Sequence, residues 1–143
     1  MLPRAHILLG TIFSLIVYLV FPSIGLVGFL IILFSSFLID VDHYLVYVYN
    51  SGKLSLKKSL KWHTEVRKIE LIMHKRGKRE KGFFHILHTI EFHVLLAVLS
   101  LFHIYFFYVF IGFIFHSLTD FFDLARNDFI YRRNYSLILW LVR

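Results

Sequence analysis

Side chains that can bind a metal recur at the ends of four apolar stretches of this sequence. One lies at the start of the first stretch, three close the second, three open a later stretch and three close the last. Ionisable groups are costly inside a bilayer, so their recurrence in apolar stretches indicates a functional site. In chain order they are His6; Asp40, Asp42 and His43; His85, His88 and Glu91; and His116, Asp120 and Asp123.

The types of ligand restrict which metal such a site would take. The sequence has no cysteine, so disulfides and thiolate sites are excluded and only histidine, aspartate and glutamate remain. This set suits zinc first, with manganese or iron as alternatives, better than copper(I) or an iron–sulfur cluster. We therefore expect a divalent metal cofactor, held among His6, Asp40, Asp42, His85, His88, His116 and Asp120.

The spacing within two of the groups predicts that their members share one face of a helix. Residues three or four apart are neighbours on a helix surface. Glutamate and histidine three apart build di-metal sites in soluble four-helix bundles. In the set His85, His88, Glu91 the residues are three apart, and in the set His116, Asp120, Asp123 they are four and then three apart.

Three of these residues are candidates for proton transfer beside the metal. A carboxylate whose pKa is adjusted by burial can act as general base, and Glu91 or Asp123 is expected in that role. His43 is expected either to protonate a leaving group or to complete the coordination shell.

Taken singly, each group has a simpler structural explanation. A histidine such as His6 often only forms a hydrogen bond at an interface, and carboxylates at helix ends often act as caps or pair with nearby cations. The site hypothesis therefore depends on their joint placement at one membrane face. Four histidines are expected to be structural or to belong to a basic segment, and not to be ligands: His63, His74, His93 and His103.

The elements that would position these residues are apolar helices. The chain has 143 residues, 58% of them hydrophobic, whereas soluble domains contain about 45–50% apolar residues. A bilayer core needs about 20 apolar residues per helix. The sequence therefore predicts an all-α integral membrane protein, a single domain over 1–143 with four transmembrane helices. The spans are expected at about 5–21, 24–40, 84–101 and 104–123.

The basic residues predict an orientation for these spans. All 16 lysines and arginines lie outside the two connections that join the first span to the second and the third to the fourth. By the positive-inside rule, both termini and the central segment are expected in the cytoplasm, with the protein in the inner membrane. The candidate ligands lie on the same side.

The central segment, residues 44–82, is predicted to be a basic amphipathic insert at the membrane surface, with Trp62 as an interfacial anchor. Basic residues beside a membrane attract anionic headgroups, so membrane lipids are the expected partners. Nucleic acid is not expected, because this positive face would lie against lipid. The oligomeric state is left open by the sequence.

The order of the motifs resembles that of a known family. An early histidine, a D-x-D-H after the second span, histidines opening a later span and an H-x-x-x-D in the last are similar to the membrane-bound metal-dependent hydrolases, a group that includes the LexA-regulated inner-membrane protein. The similarity covers most of the chain apart from the insert. The family's marked positions are matched by His6, Asp40, Asp42, His43, His116 and Asp120.

The third motif departs from the family pattern, which is H-R-G-x-T-H-S. Here the segment is His85-Ile86-Leu87-His88-Thr89-Ile90-Glu91, while His74-Lys75-Arg76-Gly77 offers an alternative first half. A looser similarity links the ligand set to the all-helical zinc-dependent phospholipase C group. Together the resemblances imply a hydrolase, and by analogy one that cleaves a lipid phosphoester.

Two other classes of function fit the same residues. A transporter for a divalent metal or protons would also place histidine and aspartate inside spans. It would need ionisable groups toward the opposite membrane face, where only His93 and His103 are available. A non-catalytic membrane scaffold would use the basic segment to recruit a partner, and would tolerate loss of Asp42, His88 or Asp120.

Overall fold

The computed structural model describes residues 3–79 and 81–142, and every regular element within them is helical. The predicted all-α class is therefore confirmed for this part of the chain. Glu80, in the predicted insert, and Arg143, among the basic residues after the fourth span, lie outside it. The helices are α1 Pro3–Val20, α2 Gly25–Leu38, α3 Val41–Ser51, α4 Leu56–Lys75, α5 Ile90–Ser100, α6 Ile104–Arg126 and α7 Leu137–Leu141, with single 3-10 turns at Pro22–Ile24, Ile86–His88 and Ile130–Arg132.

Helices α2 and α6 form the centre of the packing, with α1 against both of them and α5 against α6. They approach closely through small residues. A Cβ added to Gly112 of α6 would lie 2.1 Å from Ser35 Oγ and 2.8 Å from the Ile32 carbonyl oxygen of α2. Likewise, a Cβ on Gly10 of α1 would lie 2.1 Å from Ser36 Oγ. Small residues at such contacts let apolar helices pack by van der Waals attraction where lipid surrounds them.

Two helical stretches are long and apolar enough to cross a membrane, Pro22–Ser51 and Ile104–Arg126. The apolar helices of Arg4–Val20 and Ile90–Ser100 are shorter. Large apolar side chains on all four stretches are exposed, including Leu19, Leu26 and Val94. The structure thus gives two candidate spans, and the topology of four spans stays a prediction.

The predicted third span requires a correction at its start. A helix was expected from residue 84, but His85 is extended, Ile86–His88 form a 3-10 turn and α5 begins only at Ile90. The reason is Thr89, whose extended backbone and side chain cap α5 by accepting a hydrogen bond from Phe92 N. The prediction that His85, His88 and Glu91 share one helix face is therefore wrong. At about 1.5 Å per residue, α5 is also only about half as long as the bilayer core is thick.

The predicted break after Asp40 is smaller than expected, because the chain makes one turn at residues 39–40 and continues as α3 to Ser51. The basic segment contains a helix, as predicted, over Leu56–Lys75. Ser55 caps this helix by accepting a hydrogen bond from Lys58 N. Its position at a lipid surface stays a prediction.

Helix α4 lies against the last part of the chain through ion pairs. Arg67 donates a hydrogen bond to Asp123 of α6 at 3.2 Å, and Arg132 forms an ion pair with Glu70. Burial raises the pKa of the Glu70 carboxyl despite this partner. The basic helix is therefore held against the end of the molecule where the candidate ligands lie.

Candidate metal centre

Eight candidate residues from five parts of the chain meet in one place, which we call the ligand cluster. They form four overlapping groups, and within each group the candidate ligand atoms lie within 4.8 Å of one another. The cluster contains all seven residues predicted as metal ligands, together with His43. Its members are His6, Asp40, Asp42, His43, His85, His88, His116 and Asp120.

The local structure explains how these residues converge. The turn at residues 39–40 places Asp40 between α2 and α3, and Asp42 and His43 in the first turn of α3. The late start of α5 leaves His85 and His88 on a short extended and 3-10 segment beside them. Helices α1 and α6 contribute the others from the bundle itself.

Two imidazoles face each other at the centre of the cluster. His116 Nδ1 donates to the Ser36 carbonyl oxygen at 2.8 Å, and His88 Nδ1 donates to Asp42 Oδ2 at 3.0 Å. Because a carbonyl and a carboxylate only accept, each neutral ring carries its proton on Nδ1 and a bare lone pair on Nε2. The two Nε2 atoms are 3.3 Å apart, so either a proton shared between them or a metal ion bound by both must offset the repulsion of their lone pairs.

Two carboxylates surround the same point. Asp40 Oδ1 lies 3.4 Å from His116 Nε2 and 3.9 Å from His88 Nε2. Asp120 Oδ2 lies 3.7 Å and 3.9 Å from the same two atoms. Bonds of about 2.0–2.2 Å in a tetrahedral zinc site place ligand atoms about 3.3–3.6 Å apart. The residues therefore fit a metal ion, and we call this set of four the first centre.

A second set of potential ligands lies next to the first. Asp42 Oδ1 and His85 Nδ1 are 3.5 Å apart, and both atoms are buried with no hydrogen-bond partner among the described residues. The His43 ring lies against that of His85, with 3.9 Å between centroids. Buried polar atoms without partners are rare and costly, and a cation between them would satisfy both. We call Asp42, His43 and His85 the second centre.

Two further histidines, His6 within the cluster and His63 outside it, contact members of the two centres. The His6 ring stacks on that of His116, with 4.0 Å between centroids, and its Nε2 lies 3.0 Å from Asp120 Oδ1. His63 Nε2 donates to the His43 carbonyl oxygen at 2.7 Å. Burial lowers the pKa of the His63 imidazole, which favours its neutral form. Contacts of this kind orient metal ligands and set which ring nitrogen is free.

An arginine next to the first centre was missed in the sequence. The Arg133 guanidinium donates to Asp120 Oδ2 at 2.6 Å, and only 13% of its side chain is exposed. The hydroxyl of Tyr135 nearby is buried without a hydrogen-bond partner among the described residues. In the sequence, Arg133 contributes only to the distribution of charge that predicts the orientation. No spacing in the linear sequence connects it to Asp120.

Neither proposed general base belongs to the four ligand groups. Glu91 accepts hydrogen bonds from Ser136 Oγ at 2.5 Å, Leu137 N at 2.9 Å and Ile138 N at 3.2 Å, at the start of α7. Asp123 accepts from Arg67 on α4. The structure therefore assigns both carboxylates contacts between elements, and a catalytic role for either stays a prediction.

Three of the histidines that were not expected to be ligands contact backbone or side-chain polar groups outside the ligand cluster. His93 Nδ1 lies 2.8 Å from the Thr89 carbonyl oxygen, and His103 caps α6 by accepting from Tyr105 N. His74 Nδ1 lies 3.0 Å from the Tyr131 hydroxyl. None of the three belongs to the ligand groups.

The donor set of the buried cluster can hold a metal ion. Imidazole and carboxylate suit zinc, manganese or iron, and most members of the first centre are almost fully buried.

In comparisons with known proteins, no family model, no curated protein and no solved structure matches this chain.

Proposed function

We propose that this protein is a membrane-embedded, metal-dependent hydrolase that cleaves a phosphoester of a lipid or another membrane-associated substrate at the cytoplasmic interface. The observation that carries the proposal is the pair of Nε2 atoms of His88 and His116, 3.3 Å apart within a set of carboxylates. Such a buried arrangement of acceptors is favourable when it surrounds a cation. Zinc is the first choice of metal, with manganese or iron as alternatives.

A divalent metal bound here would lower the pKa of a bound water to about 7 and polarise a phosphoryl oxygen. The side chains of Asp40 and His43 are 25% and 30% exposed, and so face the entrance of the cluster. His43 can give a proton to the leaving oxygen when it is not a ligand of the second centre, and it completes that centre when it is. Arg133, held at Asp120, can bind the negative charge of the phosphate. Hydrolysis forms a bond between phosphorus and the oxygen of water and breaks the bond between phosphorus and the leaving oxygen, which takes a proton.

The membrane topology belongs to the same proposal. We place α1, α2, α5 together with the segment that precedes it, and α6 in the membrane as four spans, with the basic helix α4 at the cytoplasmic face of the inner membrane. Three observations support this placement: the exposed apolar side chains of these helices, the one-sided distribution of lysine and arginine, and the resemblance to membrane-bound hydrolases in motif order.

The test is metal analysis of the purified protein beside matched variants. We expect stoichiometric zinc, manganese or iron in the wild type, and its loss in His116→Ala and in Asp42→Ala. His103→Asn is the control, because it removes an imidazole outside the cluster and keeps a residue that can cap α6. Chelator-sensitive release of a phosphorylated headgroup from lipid vesicles is expected for the wild type and the control only.

Each other outcome has a distinct meaning. A folded wild type that binds none of zinc, manganese and iron would contradict the hydrolase proposal. Metal binding without hydrolysis, together with metal flux into vesicles containing the protein, would favour the transporter. If the protein still functions in cells after substitution of Asp42 and of His116, the scaffold would be favoured.

A further inference from the structure

A groove lies between α5 and α6, directly beside the first centre. Its cavity volume is about 320 Å³, at the lower end of the range for ligand pockets. Its polar lining residues are His88, Arg133 and Tyr135, which we call the polar end because His88 belongs to the first centre, and His93 and Ser117, whose side chains contact each other at 2.9 Å. The rest is lined mainly by apolar side chains of the two helices, among them Val94, Ala97, Phe110, Ile114 and Phe121.

The polar end has the chemistry of a phosphate site. Arg133 carries a positive charge that is only 13% exposed, and guanidinium groups bind phosphate oxygens with strong, directional hydrogen bonds. Tyr135 adds a buried hydroxyl for which the described residues offer no partner, so it is free to donate to an oxygen of a ligand. His88 belongs both to this end of the groove and to the first centre.

The apolar part of the groove fits a hydrocarbon chain better than a protein segment. A helix with its side chains is about 10–12 Å across, so a cavity of about 320 Å³ does not enclose one. Val94 and Phe121, which line the groove, are 56% and 43% exposed, and the groove is therefore accessible from the outer face of α5 and α6. In the proposed topology that face meets lipid.

We infer that the groove between α5 and α6 is the acyl-chain site for the substrate of this protein, with the phosphate of the same molecule bound by Arg133 and Tyr135 next to the first centre. The substrate class is then an amphiphile in which a phosphate directly adjoins a hydrocarbon chain or a glycerol that carries one. The inference rests on the proposed function for its catalytic part, and on the groove alone for its binding part.

The binding part is tested with a phosphatidic acid that carries a photoreactive group on its acyl chain, in phosphatidylcholine vesicles containing the protein. Labelled peptides are mapped by mass spectrometry, for metal-loaded and for chelator-treated protein. We expect labelling on both walls of the groove, at α5 around Ala97 and at α6 around Ile114, with or without metal. A diacylglycerol with the same photoreactive chain is the ligand control, because it lacks the phosphate.

Two substitutions separate the groove from the general lipid surface. Ala97→Trp fills the groove, whereas Val98→Trp adds the same side chain at an exposed position of α5 that does not line it. Each buried methylene is worth about 0.8 kcal/mol, so excluding several should reduce labelling about tenfold or more in Ala97→Trp. Val98→Trp should label like the wild type. Comparing the thermal unfolding of the two variants shows whether both are folded.

The phosphate end is tested with Tyr135→Phe, which removes one hydroxyl and keeps the ring. A hydrogen bond to a charged group contributes about 1.5–3 kcal/mol, so we expect about tenfold or greater loss of phosphatidic acid labelling and no change with diacylglycerol. Inorganic phosphate added in excess distinguishes the source of the anion. If inorganic phosphate reduces labelling by phosphatidic acid but not by diacylglycerol, the result supports a phosphate subsite that a lipid headgroup normally fills.

The inference and the proposed function fail in different ways. Equal labelling of Ala97→Trp and Val98→Trp would show that only surrounding lipid contacts these helices, and would overturn the groove. Crosslinks between protein copies across α5 and α6 would overturn it in favour of a second chain. Hydrolysis of a water-soluble phosphoester without groove labelling would also overturn the groove, and would leave the hydrolase standing. Groove labelling of a protein that binds no metal would overturn the hydrolase and support the lipid site alone.

Discussion

At the scale of single residues, the cluster is organised by which nitrogen of each ring is already occupied. Ser36 and Asp42 accept from the Nδ1 atoms of His116 and His88, so both rings present Nε2 to one point. Asp42 does this with one oxygen and offers the other to His85 in the second centre. A single carboxylate therefore links the two centres, and its loss is expected to disturb both.

Glu91 gives a prediction at the same scale, because its contacts at the start of α7 indicate a structural role in addition to the catalytic one that its position predicts. Because the carboxylate accepts three hydrogen bonds at the start of α7, we expect Glu91→Gln to lower the unfolding temperature. It should also make residues 136–142 easier to cleave with protease. Metal content should stay at the wild-type level. These quantities are measured by thermal unfolding, limited proteolysis and metal analysis.

The matched control for Glu91 is Glu65→Gln on α4, where the carboxylate pairs with Lys68 on an exposed surface. Exposed ion pairs contribute little to stability, so this variant should behave like the wild type. If Glu91→Gln instead abolished turnover while leaving stability and proteolysis unchanged, Glu91 would be the general base after all.

At the scale of elements, two interruptions of helices position the ligands. The turn at residues 39–40 separates α2 from α3, and Thr89 delays the start of α5 until Ile90. Without the second interruption, His85 and His88 would point from a continuous helix at fixed angles. As an extended and 3-10 segment, residues 85–88 bring His85 and His88 to different oxygens of Asp42.

The contact of α2 with α6 gives an element-scale prediction. Gly112 lies so close to α2 that even a Cβ would be 2.8 Å from the Ile32 carbonyl oxygen. Gly112→Leu should therefore separate the two helices, at a cost of about 1–3 kcal/mol or more for overpacking. Because His116 lies on the same helix and reaches Ser36 on α2, metal affinity should fall as well. Unfolding in detergent and metal titration measure the two effects.

The control is Ala125→Leu, an exposed position near the end of α6. It adds a leucine to the same helix without a neighbouring backbone in the way, and leucine is a good helix former. Stability and metal affinity should match the wild type. Equal loss in both variants would show that the packing at Gly112 is not what holds the ligands in register.

At the scale of the whole molecule, the ligand cluster and the basic residues occupy one end. Helix α4 is tied to the last part of the chain through Arg67 and Glu70, so its positive charge lies near the cluster. At a membrane surface, such charge would attract anionic lipid by about 1 kcal/mol per basic residue. The arrangement would therefore concentrate a phosphorylated lipid where the proposed chemistry takes place.

The proposed topology is tested by labelling single cysteines with a membrane-impermeant maleimide in sealed vesicles. The absence of cysteine from the natural sequence makes each introduced thiol unique. We expect Lys57→Cys in α4 and Asn127→Cys after α6 to react from one side. Ser23→Cys and Phe102→Cys, in the two opposite connections, should react from the other side. Labelling of all four from the same side would contradict four spans.

Much of the fold follows from the sequence, because apolar runs and their breaks are local properties. The helical class, the turn near Pro22 and the break at residues 101–103 match the prediction. The start of α5 was misplaced, since residues 83–90 are mostly apolar and periodicity alone does not show that Thr89 will act as a cap. Element boundaries depend on such individual side-chain contacts.

The candidate site, too, could be predicted from the sequence only in part. Eight of the ten residues that the sequence indicated meet in the ligand cluster, because the ends of neighbouring helices come close when the helices pack. Their role as metal ligands stays a prediction. The sequence did not indicate Arg133, whose contact with Asp120 depends on how the chain turns after α6. It also placed Glu91 among the catalytic groups, although the nearest partner for that carboxylate is the start of α7.

By itself, the sequence determined the types of ligand available, the lack of thiolates, the apolar helices and the confinement of lysine and arginine to the central segment and the two ends of the chain, because these depend on residue type and linear spacing. The tertiary structure alone decided which atoms face each other. His88 Nε2 lies 3.3 Å from His116 Nε2 because the capping of α5 and the close contact of α2 with α6 fix the rotation and depth of each element. The resulting pair of opposed nitrogen lone pairs is the physical reason to expect a proton or a metal ion at this point.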